Sequence, residues 1–190
     1  MIAILLNDAS FEQDIRELLM AFYPGETFTH KEEEAGEAEL IVRGVRDGNS
    51  FSLDVTPVKK EAVHFALIYP DFSNRFETKN EIKQTLYRLL SAQTGRELPW
   101  GTLTGIRPTK IALTKLYDGW TDEQIETYMR ETYFTSKEKI DLSIDVAERE
   151  RRLLSTIDYE NGYSLYIGIP FCPSICLYCS FSSYPLKVWE

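Results

Sequence analysis

All three cysteines of this chain fall within eight residues, at Cys172, Cys176 and Cys179, after 171 residues without one. Whatever the first 171 residues fold into, no disulfide framework holds it together. The core must come from apolar burial, and the means are there. A chain of 190 residues, 43% apolar and 13% aromatic, is long enough for one or two domains with a real core, and its composition is not that of a disordered chain. The net charge of −9 makes it a poor general binder of nucleic acid or of anionic membranes, since binding there starts with phosphate neutralisation. Any anion site has to be a local basic patch.

The N-terminus, MIAILLNDASFEQDI, lacks a basic n-region, and its apolar run stops at Asn7 and Asp8. It reads as a first β-strand and not as a signal peptide. No run reaches the ~18 apolar residues of a membrane span. The expectation is a cytoplasmic protein with reduced thiols, in which clustered cysteines point to metal or redox chemistry more than to a disulfide.

Met1 to Leu6 reads as a buried strand. Ser10 with Gln13 resembles a capping box. It opens a helix whose apolar face is Phe11, Ile15, Leu18, Leu19 and Phe22, and Pro24-Gly25 ends that helix. Lys31 to Glu39 is charged with no apolar stripe, and a solvated connection is expected there in preference to an acidic partner-binding loop. Leu40 to Val45 and Phe51 to Val55 predict a hairpin around Asp47-Gly48, with Ser52 and Asp54 on a wet face. Ala62 to Tyr69 is apolar and fits strand or helix. Ile82, Leu86, Leu89 and Leu90 mark a helix to about Ala92, with Gly95 as its stop.

After Trp100 the pattern turns helical. Pro108 suits the first turn of a helix from about Arg107 to Tyr117. Thr121 with Gln124 predicts a capping box for a helix burying Ile125 and Met129. Ser136 opens a third, long helix bearing Ile140, Ile144, Ala147 and Leu154, on which Glu148 to Arg152 form a solvated face. Asn161-Gly162 breaks the chain. Tyr163, Leu165, Ile167 and Ile169 then alternate with Ser164, Tyr166 and Gly168, which predicts a strand, and Pro170 releases it into the cysteine loop.

The spacing C-x3-C-x2-C admits three readings. Structural zinc wants four ligands, usually from paired C-x2-C knuckles, and here there is one such pair, with His30 and His64 far off in sequence. A dithiol redox pair is present in Cys176-Leu177-Tyr178-Cys179, but a third thiol four residues upstream would compete by exchange. An iron–sulfur cluster with three protein ligands leaves one iron open to chelate a small molecule, whereas pure electron carriers saturate all four.

Tyr166, Ile169-Pro170-Phe171-Cys172, Tyr178-Cys179 and Phe181 resemble the Y-x-H-I-P-F-C-x3-C-x-Y-C-x-F signature of the oxygen-independent coproporphyrinogen III oxidases, within the radical S-adenosylmethionine (SAM) superfamily. One position departs, since Gly168 stands where the usual histidine would be. With YIGIPFC, the stretch PWGTLTGIRPTK, Pro99 to Lys110, resembles the HemZ-type coproporphyrinogen dehydrogenases of that family. The resemblance implies that Cys172, Cys176 and Cys179 bind three irons of a [4Fe-4S] cluster whose fourth iron holds the amino and carboxylate groups of SAM. Tyr178 would pack near the adenine, Tyr166 would sit close to the methionyl group, and Phe181 would lie beside the cofactor. It further implies reductive cleavage of SAM to a 5′-deoxyadenosyl radical and hydrogen abstraction from substrate propionates. These would lose CO2 to become vinyl groups in porphyrin biosynthesis, with flavodoxin or ferredoxin as a fitting electron donor. Acid–base catalysis alone does not readily remove so unactivated a proton, whereas a cofactor radical does. Gly168 keeps an alternative open, a non-catalytic haem- or cluster-handling protein of the same superfamily.

Leu98 to Tyr117 is the second candidate. It contains no Asp or Glu and carries Arg107, Lys110 and Lys115. Arg107 and Lys110 could meet substrate propionates at a helix start. The alternative is that Trp100 and Pro108 anchor a helix whose basic side chains pair with local acids. The expected architecture is an α+β N-terminal domain over 1–97, a helical connector over 98–160, and the first strand and cluster loop of an α/β radical-SAM partial barrel over 161–190. On this reading the sequence is the N-terminal portion of a longer protein, folded through about Asp158 and inactive by itself.

Overall fold

In the computed structural model, which describes residues 1–58, 63–105, 107–158, 161–181 and 184–185, contacts divide the chain into two compact units, Met1–Arg152 and Leu153–Glu190.

The first unit begins as expected with a buried strand, β1 (Ile2–Leu6). Helix α1 (Glu12–Phe22) follows a 3-10 turn at Ala9–Phe11. The cap differs from the sequence reading. Asp8, not Ser10, supplies the capping oxygen, and it accepts the Ser10 N–H at 2.9 Å. Gln13 donates to Glu17 Oε1 one turn on, at 3.0 Å. A carboxylate two residues before an open N–H reaches it more readily than the shorter serine hydroxyl can close a box. The apolar face of α1 is as read, with Phe11, Ile15, Leu18, Leu19 and Phe22 all buried.

Strands β2 (Phe28–Thr29), β3 (Leu40–Asp47), β4 (Ser50–Pro57) and β5 (His64–Ile68) complete a five-stranded mixed sheet of order β2-β1-β3-β4-β5. β1 runs parallel to β2 and β3, so α1 is the crossover that parallel pairing requires. β3–β4 and β4–β5 are antiparallel. The hairpin turn is Gly48-Asn49, one residue past the expected pair, with Asp47 opposite Ser50. Gly48 takes φ 58 at the first central position, where glycine carries no Cβ penalty. The ambiguous apolar stretch resolves as β5, while Ala62 lies outside the described residues.

Alternation along β4 buries Phe51, Leu53 and Val55 and leaves Ser52 and Asp54 partly wet. That inner face meets α1 and α2 (Arg75–Thr94), which contributes Ile82, Leu86 and Leu90. α2 ends at Gly95 with φ 68. On the other face Ala3 and Leu5 of β1 are covered by Ala35 and Ala38. The charged segment is thus more than a solvated connection. Its 3-10 helix, Glu32–Glu37, turns Ala35 onto the sheet, with Ala38 just past its end, and its acids outward, a stripe too narrow to show in a run of glutamates.

Three helices follow: α3 (Thr109–Tyr117), α4 (Asp122–Tyr133) and α5 (Lys137–Leu154). They share a second core of Leu113, Leu116, Ile125, Met129, Ile140 and Ile144 with small alanines between. The Thr121–Gln124 capping box is formed in both directions. α3 starts at Thr109 with Pro108 as its cap, two residues later than expected.

In the second unit the strand expected over Tyr163 to Ile169 is not formed. These residues are irregular, and Leu165, Ile167 and Ile169 are 75%, 78% and 78% exposed. Period-2 alternation describes a strand only when a neighbour takes its backbone hydrogen bonds, and none of the described residues pairs with this segment. The pairing that does form is short and parallel, β6 (Phe171–Cys172) with β7 (Tyr184–Pro185). Among the described residues no helix is long and apolar enough to cross a membrane.

Candidate metal centre

The cysteine loop leaves β6 at Cys172 and turns at Cys176–Cys179, where the Cys179 N–H donates to the Cys176 carbonyl at 2.9 Å. The Tyr184 N–H donates to Pro170 O at 2.7 Å, and the Phe171 and Tyr184 rings lie 6.4 Å apart, so β6 and β7 hold the base of the loop. Cys172 and Cys179 are half-buried and Cys176 is exposed. Cys179 Sγ lies 3.8 Å from Phe181 O. Among the described residues no three Cys, His, Asp or Glu side chains are gathered closely enough to hold a metal ion. The thiols are on one accessible loop, but they do not converge.

The aromatic residues expected beside a cofactor are open to solvent: Tyr166, Tyr178 and Phe181 are all exposed. Gly168 has no backbone requirement for glycine, because its φ lies outside the left-handed range. A Cβ there would come within 3.0 Å of the Tyr166 ring, whose exposed side chain can yield. The absence of a histidine at 168 is therefore not imposed by local geometry.

Arg107 forms an ion pair with Glu150. Lys115 Nζ lies 4.2 Å from the centre of the Trp120 ring and 3.9 Å from Asp118. Lys110 is exposed. Two of the three cations in the acid-free stretch thus meet partners from outside it, the arrangement weighed as the alternative to propionate binding.

The same stretch has a polar anchor that sequence reasoning missed. Lys83 of α2, only 7% exposed, donates to Thr104 Oγ1 at 2.8 Å, and Thr104 donates to Glu17 Oε2 of α1 at 2.8 Å. Desolvation pushes the Lys83 ammonium below its ordinary pKa, against the pull of Asp14 and Glu17. Burial raises the Glu17 carboxyl, but hydrogen bonds from Thr104 and Gln13 outweigh it and leave a net lowering. The signal was legible in principle, since Lys83, Leu86 and Leu90 share one helical face at i, i+3, i+7.

No family model matches the chain, and no solved structure matches it. Comparison with curated proteins gives the class: the chain is similar to oxygen-independent coproporphyrinogen-III oxidase-like proteins. The relative is the oxygen-independent coproporphyrinogen-III oxidase-like protein HemZ of Bacillus subtilis (strain 168), with which it is 35% identical over 136 residues. Those residues are 70% of this chain and 27% of the relative, so the chain spans about a quarter of the length of the curated protein it matches. The HemZ-type likeness read from Pro99 to Lys110 and from Tyr166 to Phe181 is borne out.

Proposed function

We propose that the chain is the cluster-bearing N-terminal portion of a radical-SAM oxidoreductase that converts coproporphyrinogen III propionates to vinyl groups in porphyrin biosynthesis. Residues 98–160 would serve as its helical connector and 161–190 as the entry to a partial barrel. The observation that carries the reading is the set of three thiols on eight residues of one loop, in a chain 35% identical to a coproporphyrinogen-III oxidase-like protein.

The donor set suits the group. Soft thiolates at Cys172, Cys176 and Cys179 match an iron–sulfur cluster, and their exposure leaves the loop able to close around one. When bound, such a cluster supplies the single electron that opens the sulfonium of SAM. The roles of the chain's own residues are to present the thiolates, to stack Tyr178 on adenine, and to bring Tyr166 and Phe181 over the cofactor to exclude water. Arg107 and Lys110 would receive substrate carboxylates, Arg107 by exchanging its Glu150 partner. The thiols stand in a loop without walls among the described residues, so no turnover is expected of these 190 residues alone. The proposed setting is cytoplasmic, with a flavodoxin- or ferredoxin-like electron donor.

The test is anaerobic reconstitution with iron and sulfide. About four irons per chain are expected, with Cys176→Ala abolishing uptake. A stoichiometric zinc site with no iron uptake would refute the assignment. Gly168 favours the second reading, a haem- or cluster-handling protein without turnover. Tight haem binding by the full-length protein with no SAM cleavage would select it.

A further inference from the structure

Between the C-terminal half of α2 and the α4–α5 turn lies a cleft of about 490 Å3. Such a volume is in the range of small-molecule sites. Its floor is aromatic. The Tyr87 and Phe134 rings are 5.6 Å apart and tilted, and Tyr87 is fixed from behind by Phe22 at 5.4 Å and by the Leu98 N–H, which donates to its hydroxyl at 2.9 Å. Two guanidiniums border it. Arg88 lies 4.9 Å from the centre of the Phe134 ring, and Arg130 reaches Glu126 on its outer side at 3.0 Å. The cleft is pre-formed, because Gln84 of α2 donates to Thr132 O at 2.8 Å and ties α2 to the end of α4.

Two features mark the cleft, although Phe134 also packs against the core of the first unit. Phe134 holds φ 57, a left-handed conformation that glycine would adopt freely at this helix end. Its ring is what a glycine could not provide. Ser91 and Thr135 both line the cleft, and their hydroxyl oxygens are shut from solvent without a hydrogen-bond partner. Thr135 is 2% exposed. A buried hydroxyl left unmatched is destabilising, and valine would fill the same space without that penalty.

We propose that this cleft is a binding site for a small aromatic carboxylate, packed against Phe134, whose ring the buried Tyr87 backs, with its carboxylate held by Arg88 and Arg130 and its second oxygen accepting from Thr135 after a χ1 rotation. Planar guanidiniums pair with carboxylates bidentately. Two arginines and one acid, Glu97, are among the lining residues, so a carboxylate ligand would draw Arg130 from Glu126. The proposal is independent of the cysteine loop, since every group it uses lies in the first unit.

The test uses 2-naphthoate as the probe on the 190-residue chain, followed by amide and side-chain NMR shifts. Saturable binding is expected, with shifts at Ser91, Phe134 and Thr135. The neutral isostere 2-naphthylmethanol and inorganic phosphate should each bind at least tenfold more weakly, the first lacking the charge and the second the ring. Arg88→Gln combined with Arg130→Gln should lower naphthoate affinity at least tenfold with the fold retained. Thr135→Val separates ligand binding from structure: it should weaken binding several-fold while leaving the melting temperature equal or higher. No saturable binding, equal binding of the neutral isostere, or Thr135→Val losing stability with affinity unchanged would each overturn the proposal.

Discussion

Met1–Arg152 and Leu153–Glu190 carry similar kinds of residue and use them differently. In the first unit Ile2, Ile4, Leu53 and Leu86 are essentially inaccessible, and every strand has a neighbour. In the second, Leu165, Ile167 and Ile169 alternate as regularly as the residues of β4, yet most of their surface stays wet. Alternation specifies which face of a strand turns inward, but it does not supply the sheet. The three cysteines stand in this second unit, with Cys176 exposed and Cys172 and Cys179 half-buried. Exposed loops with few buried contacts belong to the low-stability end of a fold.

The largest effect should come from a core leucine set against an exposed one. Leu86→Ala empties a fully buried site between α2 and the sheet and should lower unfolding free energy by about 2–5 kcal/mol. Leu165→Ser should change it by less than about 0.5 kcal/mol. Urea denaturation followed by far-UV circular dichroism measures both. Comparable losses would break the contrast, by showing that Leu165 is buried in solution.

A second, smaller effect sharpens the picture of the first unit. Gly101, in the stretch that resembles the HemZ-type branch, has φ 56, and a Cβ there would sit 1.9 Å from Tyr133 O and 2.6 Å from the Phe134 carbonyl. Gly119 also has positive φ, at 81, but its Cβ would meet nothing within 4 Å. Gly119→Ala should therefore cost roughly 1 kcal/mol from backbone conformation alone. Gly101→Ala should cost roughly 1–3 kcal/mol, because the α4–α5 turn must also move. Melting temperatures of the two variants decide it. Equal shifts would mean that the close approach at Gly101 is relieved without strain.

Most of the first unit was legible because its signals are local. The α1 stripe, the Gly95 stop, the β4 alternation and the Thr121–Gln124 box each need only a few neighbouring residues to be read. What failed needed contacts at a distance. Ala35 and Ala38 look like filler in an acidic run until β1 is placed beneath them. The Asp8 cap is also held by Arg46, 38 residues away, a contact that no local pattern announces. Phe134 in a left-handed conformation has no sequence signal, since glycine or asparagine is the usual sign of that turn. Tyr163 to Ile169 failed for the opposite reason: the alternation is there, but no strand among the described residues pairs with it and the segment is irregular. The cysteine spacing marked one loop but left its chemistry open, and among the described residues the three thiols are not brought together.

The smallest predicted effect depends on pH. The Asp8 carboxyl is held below its ordinary pKa by hydrogen bonds from Ser10 first and then from Arg46, which lies 3.1 Å away. A folded pKa below the unfolded one means that the carboxylate's stabilisation is complete above the unfolded value, about 3.9, and disappears as pH falls through the folded value. Asp8→Ala should therefore cost about 1 kcal/mol at pH 7, the usual range for a cap. The gap to the unaltered protein should close as pH falls from about 4 toward 2. Leu86→Ala is the control, because a cavity does not titrate. Asp158 in the second unit is the counterpart: its carboxylate accepts from Asn161 at 3.1 Å, three residues on, within an exposed turn. Asp158→Ala should leave the urea midpoint unchanged at pH 7. A cost for Asp158→Ala as large as that for Asp8→Ala would show that the turn leading to the cysteine loop is tied into the cooperative fold, and the distinction between the two units would not hold.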